Sequence, residues 1–260
     1  MFLYLGYMNW LSPFVLFFLT SISALKMKSI SPLYTPKTPN QLLYSESLDN
    51  TEKTMTVALG PAGSGKTLLA CVHAISSLKR GEIRKIVLTR PLVSVEEEEI
   101  GFLPGNLVTK MDPWTKPMFD IFKEFYSVSD LNNLVKLGVI EVAPLAFMRG
   151  RTFHRSFVLA DEMQNASPSQ MLMLTTRMGQ ESKLVVTGDL NQSDRCYENN
   201  GLRHFLNKFD EYRFKYGHEK ALKYIDVIEM NRGDICRSPF VSSILDILGG
   251  DPGPPLPPPI

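Results

Sequence analysis

Cysteine is scarce in this sequence: three residues in 260, Cys71, Cys196 and Cys236, with no C-x-x-C pair among them. That spacing argues against a disulfide frame or a thiolate zinc site and suits thiols in a reducing compartment. Charge of one sign is lacking too, since 28 Lys and Arg stand against 27 Asp and Glu, a formal net charge of +1. Without a global basic field, any contact with nucleic acid has to come from a local patch. No internal repeat is present. Between Phe2 and Leu25 charge is missing altogether, and the stretch is rich in Phe, Leu and Tyr. It is long enough to cross a bilayer. Lys26 and Lys28 follow it, which would keep the next segment cytosolic, and no Lys or Arg precedes it, which makes it a poor secretory signal. Residues 26–45 are Ser/Thr/Pro-rich without an acidic residue, as in the remainder of an organellar leader. Anchor, leader and a true start at Met27 all stay open.

What is present suits one sizeable folded unit: 44% of residues are hydrophobic and 21% charged. Apolar runs predict strands at Thr54–Leu59, Lys85–Thr89, Val139–Val142, Ser156–Ala160, Lys183–Thr187 and Tyr224–Ile228. Runs such as Phe157-Val158-Leu159-Ala160 suit strands covered on both faces of a parallel sheet. Helical patterns fall at Lys66–Leu78, Pro117–Phe125, Pro168–Arg177, Gly201–Phe209 and Pro239–Leu248. Ser167 can cap the third of these with Gln170 completing a capping box, and Ser238-Pro239 repeats the Ser-Pro start. The alternation predicts an α/β fold, a mostly parallel sheet with helices on both faces. Four regions follow: the apolar segment 1–26, an extension 27–53, a domain 54–248, and a Pro-rich tail 249–260 of polyproline II character.

Gly60-Pro61-Ala62-Gly63-Ser64-Gly65-Lys66-Thr67 fits the P-loop pattern between a strand and a helix. Its glycines let backbone N–H groups wrap phosphate oxygens, and the helix N-terminus adds partial positive charge. Lys66 should reach the β- and γ-phosphates of ATP, and the Thr67 hydroxyl should bind Mg2+. Asp161, delivered by Phe157–Ala160 to the carboxyl edge of the sheet, is the expected second metal-side residue. Glu162 is placed to orient the attacking water or accept its proton, which favours hydrolysis over kinase chemistry. At the end of the next strand, Gln192 or Thr187 could sense the γ-phosphate. Asn191–Asp194 lacks the lysine of a guanine-reading box and begins beyond the strand end, so guanine specificity is discounted.

Basic residues near strand ends are the local candidates for nucleic-acid contact. Arg90 closes the second strand, and Arg149, Arg151, His154 and Arg155 are interleaved with Phe147 and Phe153. Such a run can meet phosphates and bases, or be a solvated turn.

These residues resemble the PhoH-like family. Besides the P-loop, the matching runs are Leu88–Pro91, Ile100–Gly105, Glu141–Thr152, Asp161–Asn165 and Thr187–Asp189, and the likeness extends from about Pro36 to Leu248. The resemblance implies a RecA-like core similar to the first motor domain of superfamily 1 helicases. It also implies Mg2+-dependent ATPase activity with RNA as a partner, helicase-like in kind. By position, Gln41 looks like the family's adenine-contacting glutamine. Arg237, in Asp234-Ile235-Cys236-Arg237-Ser238-Pro239, looks like its arginine finger. Residues 193–200 depart from the family wording, and the apolar N-terminus lies outside it. A single motor domain predicts a homo-oligomeric ring in which Arg237 enters a neighbour's site. The expected compartment is the cytoplasm, with an organelle interior or a membrane tether through residues 2–25 as alternatives. Two other functions stay in view, an ATP-regulated switch on RNA or protein without sustained turnover, and a P-loop kinase.

Overall fold

Six short strands, each an apolar run, form one sheet in which every pairing is parallel. The computed structural model describes residues 35–91, 107–193, 199–236 and 247. The strands are β1 (Met55–Leu59), β2 (Lys85–Thr89), β3 (Ile140–Val142), β4 (Ser156–Ala160), β5 (Lys183–Gly188) and β6 (Ile225–Glu229). Their spatial order is β3-β2-β4-β5-β1-β6. Burial follows that order. The inner strands β1, β4 and β5 are buried along their whole length, whereas the edge strands β3 and β6 are half-exposed. This is why the inner strands lack the polar alternation of a one-sided sheet.

Helices cover both faces. On one face lie α1 (Pro39–Asp49), α2 (Lys66–Lys79), α3 (Leu107–Phe125) and α4 (Val128–Lys136), whose Tyr44, Ile75, Leu78, Phe122 and Leu134 pack with Ile86, Phe157 and Val185. On the other lie α5 (Pro168–Thr175) and α6 (Gly201–Tyr216), together with the 3-10 turns Leu145–Met148 and Met163–Asn165. Their Met163, Met171, Leu174 and Leu202 meet Val57, Val158 and Val186. A short α7 (His218–Leu222) leads into β6.

The helix starts are written in the sequence. Ser167 and Gln170 form the expected capping box at α5, Ser127 caps α4 and Asn200 caps α6. The expected helix at Pro117 begins earlier, at Leu107, and that at Gly201 runs on to Tyr216. The pattern reaching Arg177 stops at Thr175, and the last strand is displaced by one residue. Helix α1 has no counterpart among the expected elements. It is capped by Thr38 with Pro39 in its first turn, yet its buried positions include Gln41 and Ser47 beside Tyr44 and Leu48, so an apolar count passes over it. The expected segments 1–26, Pro239–Leu248 and 249–260 lie outside the described residues, apart from Ile247. Among the described residues, no helix is long and apolar enough to cross a membrane.

Candidate active site

All six strands run the same way, so their carboxyl ends gather at one edge, and the segments that follow β1, β4 and β5 there carry Lys66, Thr67, Asp161, Glu162 and Gln192. The chain turns from β1 into α2 through the Gly-rich loop. Gly60 has φ +139, and a Cβ at that position would lie 2.4 Å from the Met230 carbonyl oxygen, so the loop passes too close to the end of β6 for any side chain. Gly63 and Gly65 also take positive φ, and Gly65 sits at the N-cap of α2. Lys66 is folded back onto the loop, its Nζ donating to the carbonyls of Gly60 at 2.6 Å and Pro61 at 2.8 Å. Burial pushes the Lys66 ammonium below its ordinary range, against the pull of Asp189, Glu162 and Asp161.

Asp161 follows β4 directly and is buried. Its Oδ1 accepts from Thr67 Oγ1 at 2.8 Å and from Thr187 Oγ1 at the tip of β5. Thr187 is fully buried, and its hydroxyl proton is committed to this carboxylate. A hydroxyl and a carboxylate in contact are hard oxygen donors of the kind that hold Mg2+ together with phosphate oxygens and water. Among the described residues, no group of three or more His, Cys, Asp or Glu could hold a metal ion.

Glu162 follows in a left-handed conformation, φ +55, which a non-glycine residue rarely adopts. Its Oε1 lies 3.9 Å from the guanidinium of Arg90, and its Oε2 accepts from Gln164 Nε2 at 2.5 Å. Gln192 is exposed on the loop after β5.

Gln41 reaches the loop from α1. Its Nε2 donates to the Ser64 carbonyl at 2.9 Å and the Asp234 carbonyl at 3.0 Å, and its Oε1 accepts from the Lys37 N–H at 2.8 Å. The amide thus ties α1 and the turn after β6 to the loop. Arg237 lies outside the described residues.

The basic run separates into unlike parts. Arg149 is exposed beside Phe147, itself 59% exposed. Arg151 forms a two-pronged pair with Glu141 at 2.5 and 2.9 Å and stacks over the Phe153 ring. Phe153 is buried, which corrects the expectation that it stands ready for bases. Its backbone bonds Arg177 and Gly179 and turns the ring into the core. Arg155 bonds Glu181 and the Gly81 carbonyl. Sequence inspection did not single out Gln164. Its adjacency to the acidic pair was visible, its bonds to the β5 loop were not.

The parallel sheet and its glycine loop define a P-loop nucleoside triphosphatase fold. Within that class, the chain belongs to the PhoH-like family, whose model, described as "PhoH-like protein", matches residues 34–249. It is 39% identical over 210 residues to a PhoH-like protein of Bacillus subtilis (strain 168), covering 81% of this chain and 62% of that protein. It is 34% identical over 177 residues to protein PhoH of Escherichia coli (strain K12), covering 66% of this chain and 48% of that one. The chain therefore matches less than two thirds of the length of these curated relatives. A solved structure of the large terminase from a thermophilic bacteriophage superposes with a TM-score of 0.48 at 14% identity, over 82% of this chain and 50% of that one.

Proposed function

We propose that this chain is a Mg2+-dependent ATPase whose turnover is coupled to binding or unwinding RNA. The observation that carries the reading is the convergence of Lys66, the Thr67–Asp161 pair and Glu162 at one edge of the sheet. Backbone N–H groups of Gly63–Thr67 and the Lys66 ammonium would bind the β- and γ-phosphates, with Thr67 and Asp161 holding the metal. When bound, Mg2+ would neutralise charge on the phosphate oxygens. Glu162 orients the attacking water and accepts its proton. The RNA part rests on the family resemblance together with Arg90, which follows the carboxyl end of β2, and the exposed Arg149. Arg237 acting in a neighbouring subunit of a homo-oligomeric ring belongs to the same proposal.

The test is ATP hydrolysis by the full chain with and without single-stranded RNA. Turnover accelerated by RNA supports the coupling. Nucleotide bound without turnover would leave a binding switch, and a chain that binds no nucleotide would overturn the reading.

A further inference from the structure

Gln164 is 1% exposed and lies in the 3-10 turn directly after the acidic pair. Its Nε2 donates to Glu162 Oε2 at 2.5 Å and points a longer contact, 3.4 Å, at the Gln192 carbonyl. Its Oε1 accepts the Asp189 N–H at 3.2 Å. Its backbone carbonyl accepts from Ser193 Oγ at 3.1 Å. The amide therefore has one admissible orientation, because flipping it would turn its oxygen toward a carboxylate and its NH2 toward an N–H. Room for the side chain is provided by Gly188, where a Cβ would fall 2.9 Å from Gln164 Oε1 and 2.5 Å from Leu202 Cδ2.

We infer that Gln164 is a positioning residue, its amide holding the Glu162 carboxylate in register with the loop Asp189–Ser193. The inference rests on the reading of Glu162 as the residue that acts on water. Glu162 needs such a tether. Its backbone is left-handed, its side chain is over one third exposed, and its ionic contact with Arg90 is long at 3.9 Å. A half-exposed carboxylate with no short contact would sample several rotamers, and a catalytic group displaced by an ångström loses much of its effect. Because the same amide grips the loop that carries Gln192, a movement of that loop is passed to Glu162.

The experiment compares Gln164→Met with the wild type as full chains, measuring kcat, KM, nucleotide affinity and melting temperature. Methionine keeps the length and removes the amide. The expected result is a kcat about tenfold lower or more, with KM and nucleotide affinity changed by less than about twofold. In a Glu162→Gln background the same substitution should lower the residual rate by less than about twofold, since no carboxylate remains to be positioned. A purely structural amide would give the same loss in both backgrounds, and that outcome overturns the proposal, as does an unchanged kcat. Should Gln164→Met fail to fold, Gln164→Glu decides. It keeps the acceptor for Asp189 N–H, sets a carboxylate against Glu162, and is expected to lose kcat while binding nucleotide. If the wild type hydrolyses nucleotide and the variants match it, this inference alone fails. If the wild type hydrolyses none, the proposed function fails with it.

Discussion

The Thr67 hydroxyl and the Asp161 carboxylate are hydrogen-bonded at 2.8 Å, although Thr67 lies in the first turn of α2 beyond the glycine loop and Asp161 follows β4, a strand that does not pair with β1. The strand between them, β5, contributes Thr187 to the same carboxylate oxygen. Asp161 is thus held from two directions by the protein's own hydroxyls. A carboxylate fixed in this way loses little rotamer freedom when it takes a ligand, which is how a pre-organised site gains affinity.

In the proposed reading, Lys66 is the group on which phosphate binding depends most. Its ammonium is mostly buried, and its bonds to the Gly60 and Pro61 carbonyls are weak partners beside a triphosphate. Lys66→Ala should weaken ATP binding by about 30-fold or more, the loss expected when one member of a buried charge pair is removed. Fluorescence titration with a labelled nucleotide measures it, and wild-type affinity would remove the basis for the proposed site.

Glu162→Gln separates binding from chemistry. The amide keeps the size of the side chain but cannot accept a proton, so hydrolysis should slow by about 10² or more while ATP affinity stays near that of the wild type. Equal loss of binding and rate would make Glu162 a metal-side or structural residue. Single-turnover hydrolysis beside equilibrium binding makes the comparison.

The strands were legible to within a residue at every end, because the inner ones are apolar on both faces and bounded by polar or glycine residues. Helix α1 was not, since the bonds that seat it are polar and distant in sequence: Gln41 meets Asp234 193 residues away, and the Ser47 and Leu48 carbonyls are held by Lys183. The P-loop and the acidic pair could be read from spacing alone. The environments of the surrounding side chains could not. Phe147 and Phe153 both follow basic or small residues in sequence, yet one faces water and the other is buried by a backbone turn against Arg177.

His73 predicts a loss of stability in acid. Burial pushes its imidazole down to about 4 from 6.5, and Lys183 and Arg80 act in the same direction. Asp49, 3.1 Å away but largely exposed, and Glu82 pull the other way and are outweighed. The ring also lies 5.7 Å from that of Phe157 and near the Ser77 hydroxyl. The unfolded chain therefore binds a proton at His73 before the folded one does, and stability falls as pH drops from about 6.5 towards 4. Melting temperatures across that range should fall less steeply in His73→Gln than in the wild type, the difference approaching about one proton per molecule. Parallel curves would mean that other groups set the acid limit.

Arg149 and Arg151 stand two residues apart and should answer differently to the same substitution. Arg149 is exposed beside Phe147, an arrangement that can meet a phosphate while the ring stacks on a base. Arg151 already spends its guanidinium on Glu141, whose carboxyl it holds below the ordinary range, with Lys85 on the same carboxylate at 3.0 Å. If RNA binds at this turn, Arg149→Ala should weaken binding and lower the slope of log affinity against log salt by about 0.7, the value for one phosphate contact on a single strand. Arg151→Ala should leave the slope nearly unchanged and instead lower the melting temperature by about 2–4 °C, in keeping with the loss of a half-exposed ion pair. RNA titrations at several salt concentrations, paired with thermal melts, separate the two effects. A slope that falls with Arg151→Ala and not with Arg149→Ala would mean that RNA breaks the Glu141 pair on binding, and the contact would then lie along β3 instead of at Phe147.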